Sequence, residues 1–241
     1  GWRATHVGIG IFCLVTMLPL VMVMRRPGPV THGKPGTAAG KPAPTRPLGL
    51  KPSTLQNVII IAGIACCVAM AMPQVHIVAY CTDLGYGPAR GAEMLALMLA
   101  TGTVSRLAFG VVMDRIGGVA TLVVASFLQM VALSLFLPFD GLISLYVISG
   151  IFGLFQGGLV PSYAMISRAL FPPQEAGIRV GIGLSATLAG MALGGWMSGA
   201  IFDWTGTYHW AIVNGIAWNM LNLGIAVWML VRARRLGLGK V

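Results

Sequence analysis

Arg106 asks most for a chemical explanation. It stands in the stretch Gly102-Thr-Val-Ser-Arg106-Leu-Ala-Phe-Gly110-Val-Val-Met-Asp114-Arg115-Ile-Gly117-Gly118, inside an apolar run long enough to cross a membrane. A charge there is expensive and marks a functional site by default. No acid lies within any apolar interior, and Glu93, thirteen residues away, falls on another helical face. A guanidinium without a carboxylate neighbour suits an anion, and its planar fork fits a carboxylate. Arg106 precedes Asp114 by eight residues, so it sits about 12 Å from that end of its helix. The competing reading is an arginine that snorkels to the interface or pairs with protein outside this chain.

Other polar residues fall into two groups. Gln156 lies mid-run beside Gly157, where it suits a cavity wall, and His76 with Gln74 follows Pro73. Arg106, Gln156 and His76 are the candidate substrate contacts; His76 is also the titratable candidate for a coupling proton, against a structural, hydrogen-bonded role. Asp114 and Arg115 sit where water begins, in a turn that Gly117 and Gly118 permit. Asp114 is placed to pair with Arg168 or to face a helix N-terminus. Glu175 and Arg179, four apart, pair if helical. With Gly110 and Gly117 these charges read as a gate at one membrane face; the competing reading is solvated loop charges of little energetic weight. Asn219 and Asn222 read as interhelical hydrogen-bond partners and Tyr163 as packing. No GxSxG, HExxH, P-loop or strand-borne GxGxxG is present, so the chain reads as a non-enzyme without cofactor or metal.

The elements that hold these residues are legible from composition. Of 241 residues, 56% are hydrophobic and 9% charged, with a mean hydropathy of +0.83. A soluble domain carries about 25% charged residues. The chain is an all-α membrane protein, with the lipid bilayer as a partner. The apolar runs are Val7–Met24, Asn57–Tyr80, Glu93–Met113, Val119–Leu137, Leu142–Ile166, Ile178–Phe202 and Ala211–Val231. Pro161, after Gly157-Gly158, should bend the fifth. Gly153/Gly157, Gly190/Gly194 and Gly195/Gly199 mark close helix contacts. Trp204, Tyr208 and Trp210 form an aromatic belt. Residues 25–56, rich in Pro, Gly and Lys, cannot bury a core and read as a disordered linker.

The net charge of +10 suggests nucleic acid. Its distribution excludes that reading, because the basic residues sit between the apolar runs. With seven spans, one side holds thirteen Lys and Arg and the other holds Arg3 and Arg90. The positive-inside rule then places the linker and the C-terminus in the cytoplasm of a multi-pass cell-membrane protein. Cys13, Cys66 and Cys67 fall within apolar runs and Cys81 borders one; all four read as small buried residues. The sequence begins at Gly1 without a signal-peptide pattern and reads as a piece of a longer chain. A seven-span retinal receptor is excluded, because every lysine lies in a loop or tail.

Three motifs carry a family resemblance. Gly110-Val-Val-Met-Asp114-Arg115-Ile-Gly117-Gly118 resembles the G-x-x-x-D-R-x-G-R-R signature of the major facilitator superfamily, without its closing basic pair. Gly1-Trp2-Arg3 resembles the opening of that family's sixth helix, and Phe202-Asp-Trp-Thr-Gly-Thr-Tyr208 the approach to its twelfth. The resemblance implies a bundle of twelve helices of which seven are present here. Residues 1–24 would be helix six, 25–56 a cytoplasmic linker, 57–231 the C-terminal six-helix half and 232–241 a basic tail. The rest of the N-terminal half becomes an expected partner. Each half of such a fold is a 3+3 inverted repeat, and the halves rock around a central site.

Ser105-Arg106-Leu107-x-x-Gly110 resembles the monocarboxylate and oxalate/formate branch, in which an arginine at this place holds the substrate carboxylate. Gly102 stands where monocarboxylate transporters carry an aspartate tied to proton coupling. Ile178–Phe202 has no lysine where the oxalate exchanger carries one, which argues against a doubly charged substrate. The implied function is secondary transport of a small monocarboxylate-like anion by alternating access. A family member that carries a neutral or drug-like solute, with Arg106 structural, is the alternative.

Overall fold

The computed structural model describes residues 2–24 and 47–238. Among the described residues the secondary structure is helical, without strands, and seven segments are long and apolar enough to span a bilayer. Helix is what lipid demands, since each backbone N–H and C=O must be satisfied within its own segment. Two compact units divide the chain, residues 1–42 and 43–241. The first contains α1 (Trp2–Met24), apolar on all sides, with every side chain from Arg3 to Met22 exposed. The linker expectation for residues 25–46 lies outside the described residues.

The second unit contains α2 (Pro52–Asp83), α3 (Pro88–Ile116), α4 (Gly118–Leu135), α5 (Leu142–Gln156), α6 (Leu159–Leu170), α7 (Pro173–Thr205) and α8 (His209–Arg235). A 3₁₀ turn at Pro47–Gly49 precedes α2. The expected linker therefore ends early. Pro52 opens α2, its fixed φ suiting a first helical turn, and Leu55 and Gln56 are already buried. Proline opens α3 and α7 in the same way, at Pro88 and Pro173. These helices outrun their apolar cores because their polar first turns sit at the membrane surface.

Helix α2 is the centre of the unit and packs against α7, α8 and α3. Glycines set two of the contacts. A Cβ on Gly190 would lie 2.7 Å from the Ile64 carbonyl oxygen, and one on Gly194 2.6 Å from Val68 Cα, so α7 approaches α2 backbone to backbone. Gly117, at φ 87° and ψ 165°, is the whole link between α3 and α4, a conformation nearly restricted to glycine. Gly118 already belongs to α4 and packs on Met165 and Ile166 of α6.

The fifth apolar run breaks where a bend was expected. α5 stops at Gln156 and α6 starts at Leu159. Pro161 has no N–H for the Gly157 carbonyl, and Gly157 and Gly158, in right-handed backbone, let Ser105 and Phe109 of α3 stand where a Cβ would be. The aromatic belt is also narrower than expected. Trp204 and Trp210 are exposed, but Tyr208 is buried and stacks on Phe202 with ring centres 4.3 Å apart. Burial, then Asp83 and Asp203, push the Tyr208 hydroxyl pKa up. Cys13, expected buried, is exposed on α1, whereas Cys66, Cys67 and Cys81 are buried.

Candidate functional site

The α5–α6 break lies against α3 at the level of Ser105 and Arg106. A Cβ on Gly157 would come within 2.7 Å of the Arg106 backbone nitrogen. Ser105 donates its hydroxyl to the carbonyl of Leu154, in the last turn of α5. Gln156, the final residue of α5, is 4% exposed, and its Oε1 accepts from Gln74 Nε2 of α2. Gln156 Nε2 is buried without a partner among the described residues. It faces Gly102, where an added Cβ would stand 3.3 Å away. A buried, unpaired amide donor costs about 1–3 kcal/mol unless something accepts from it.

Arg106 emerges from this junction. Its side chain is exposed in this chain, and among the described residues neither a hydrogen bond nor an ion pair reaches it. Glu93 is engaged elsewhere, bonded to Arg90 at 3.0 Å and to the Tyr146 hydroxyl. The structure thus brings Arg106, Gln156, Gln74 and Ser105 to one level of the α2–α3–α5 junction. Gln74 and Ser105 are the additions that sequence position alone could not assign, because the Gln74–Gln156 contact joins residues 82 apart.

His76 is placed differently. Its Nε2 lies 2.8 Å from the Gly195 carbonyl of α7, and its Nδ1 lies 3.4 Å from the Tyr208 hydroxyl. With both ring nitrogens engaged, the ring is a cross-link between α2, α7 and the turn before α8. Tyr163, expected to be packing, is instead a polar node. Its hydroxyl donates to Asn222 Oδ1 at 2.7 Å, with the Ala62 carbonyl at 3.0 Å sharing the proton. Asn222 and Asn219 in turn donate to the Ser126 hydroxyl and carbonyl of α4, at 2.8 and 2.9 Å. The pair therefore joins helices as its spacing indicated.

At the end of the bundle that carries Asp114, the charges are only partly gathered. Glu175 and Arg179 pair at 2.7 Å, with Arg179 also stacked over Phe171 at 4.2 Å. Asp114, Arg115 and Arg168 are exposed, and the expected Asp114–Arg168 pair is not formed. Asp114 leaves the end of α3 and Arg168 the end of α6, helices that barely touch. Gly110 faces open space. No cluster of three or more metal-ligating side chains occurs among the described residues.

Comparison with known proteins gives the family. Residues 1–151 match the family model of the Major Facilitator Superfamily. Over 162 residues the chain is 30% identical to monocarboxylate transporter 13 of Rattus norvegicus, an alignment covering 65% of this chain and 37% of that protein. The chain thus spans well under half of the curated relative it matches. With seven membrane-length helical segments among the described residues and the Gly110–Gly118 signature at the α3–α4 turn, the chain belongs to the major facilitator superfamily.

Proposed function

We propose that this chain contributes helices six to twelve of a secondary transporter for a small monocarboxylate-like anion, with Arg106 as the carboxylate contact. The observation that carries this reading is an unpaired, exposed guanidinium on Arg106, whose backbone abuts Gly157, at the level of the unpaired, buried amide of Gln156. Helical side chains lean toward the N-terminus of their helix, so Arg106 reaches back toward Gly102, the residue Gln156 Nε2 faces. Two donors at one level, one of them charged, fit the two oxygens of a carboxylate. Arg106 lies about 27 Å from the start of α3 and about 15 Å from its end, within the hydrocarbon depth. Facing lipid there would be costly, which favours a water-lined path, the substrate or the other half of the protein as its surroundings. The relative's name, a monocarboxylate transporter, agrees with that chemistry.

The Glu175–Arg179 pair, with Asp114, Arg115 and Arg168, would lie on the cytoplasmic side and close the inner gate against the other half. The halves would rock about the central site, and His76 would hold α2 to α7 rather than carry a proton.

Isothermal titration with a short-chain monocarboxylate and its methyl ester tests the reading. The carboxylate should bind at least about tenfold more tightly, and Arg106→Gln should erase that difference, since a charged hydrogen bond is worth about 1.5–3 kcal/mol. Equal affinity for acid and ester would instead favour a neutral solute with a structural Arg106.

A further inference from the structure

The far end of α8 carries a site that anion transport does not use. Gly224, Val227, Trp228, Val231, Arg232 and Arg235 border a cavity of about 500 Å³ along this helix. It continues into a second, of about 380 Å³, between Val58 and Ile61 of α2 and Met220, Leu221 and Ile225 of α8. The two adjoin at Gly224 and Trp228 and together trace a groove along α8, apolar along the helix and basic at its end.

The basic end is built. Arg232 donates Nε–H to the Leu48 carbonyl at 2.6 Å and lies over the Trp228 ring at 5.6 Å. Leu48 holds its carbonyl there from a left-handed backbone, at φ 54°. Such a conformation is uncommon for a residue other than glycine and needs support from its surroundings. The terminal nitrogens of Arg232 carry no hydrogen bond among the described residues, and neither does Arg235. No acidic residue occurs on α8 or after it. At 27 residues α8 is about 40 Å long, about 10 Å more than the hydrocarbon core, so its last turns lie among headgroups.

We propose that this groove binds an anionic phospholipid, its phosphate held between Arg232 and Arg235 and one acyl chain laid along Gly224 between α2 and α8. The paired guanidinium forks match phosphate geometry. Trp228 sits at the depth where an interfacial tryptophan belongs, between the headgroup and the chain. The charge on the arginines selects the headgroup, and the apolar floor selects a lipid over free phosphate.

The test uses the full chain in phosphatidylcholine bilayers doped with brominated lipid, which quenches nearby tryptophans. The Trp228 signal is the difference between the protein and Trp228→Phe. Brominated phosphatidylglycerol should quench it about fivefold more effectively than brominated phosphatidylcholine at equal mole fraction. Arg235→Gln, which breaks no hydrogen bond or ion pair among the described residues, should remove most of that preference, and Arg234→Gln, outside the groove, should keep it. Equal quenching by the two lipids would overturn the proposal, leaving ordinary annular contact or a protein-covered face. Equal losses in Arg235→Gln and Arg234→Gln would overturn it too, as diffuse attraction to a charged surface.

Discussion

Gln156 and His76, both polar and both inside spans, have opposite environments. His76 has both nitrogens satisfied by Gly195 and Tyr208, whereas Gln156 keeps a buried N–H₂ unpaired. The first pattern belongs to a cross-link; the second leaves a donor free to bond an acceptor, as it does at Gln129 Nε2, and the proposed function assigns that role to Gln156 alone. Gln156→Ala should therefore weaken carboxylate binding about tenfold in a titration, as expected for one lost hydrogen bond to a charged group. His76→Leu should leave that affinity unchanged and cost about 1–2 kcal/mol of stability by thermal unfolding, with His76→Gln recovering part of it. A tenfold affinity loss in His76→Leu would place the ring in the site. Arg106 was legible in the sequence because one charge among apolar residues is conspicuous. The role of Gln156 was legible only in part, since its contact with Gln74 depends on how α2 crosses α5.

Helices carry a second set of consequences. The spans were readable because lipid imposes about twenty apolar residues on each. Their ends were not, because Pro52–Gln56, Pro88–Arg90 and Pro173–Gly177 are polar turns that a hydropathy reading assigns to loops. The α5–α6 break was half legible: Gly157, Gly158 and Pro161 announced a disturbance, and the contact with Ser105 and Phe109 made it a break. Gly157→Ala must push α6 away from Ser105 and Arg106, and should cost about 1–3 kcal/mol by overpacking while also lowering anion affinity. Gly117→Ala should cost a similar 1–3 kcal/mol through backbone strain alone, with affinity retained. Gly110→Ala, inside α3 and facing open space, should be tolerated and raise stability by about 0.5–1 kcal/mol. If all three variants unfolded alike, the separate origins assigned to them would be wrong.

On the scale of the whole molecule, the family assignment rests on the signature turn, the seven spans and the match over residues 1–151. Orientation rests on the uneven distribution of Lys and Arg. In a background lacking the native cysteines, Lys41→Cys should react with a membrane-impermeant maleimide only after permeabilisation, and Asp140→Cys should react in intact cells. The reverse pattern would invert the topology. In the proposed function, Arg106 makes this an anion carrier. That role is tested most directly by a thermal-shift screen of the protein and of Arg106→Gln in detergent, against monocarboxylates, dicarboxylates, sugars and cationic drugs. A ligand that binds only the folded state raises the melting temperature by mass action. Monocarboxylates alone should stabilise the protein, and Arg106→Gln should lose that stabilisation. Stabilisation by a neutral or cationic compound, equal in both proteins, would contradict that role.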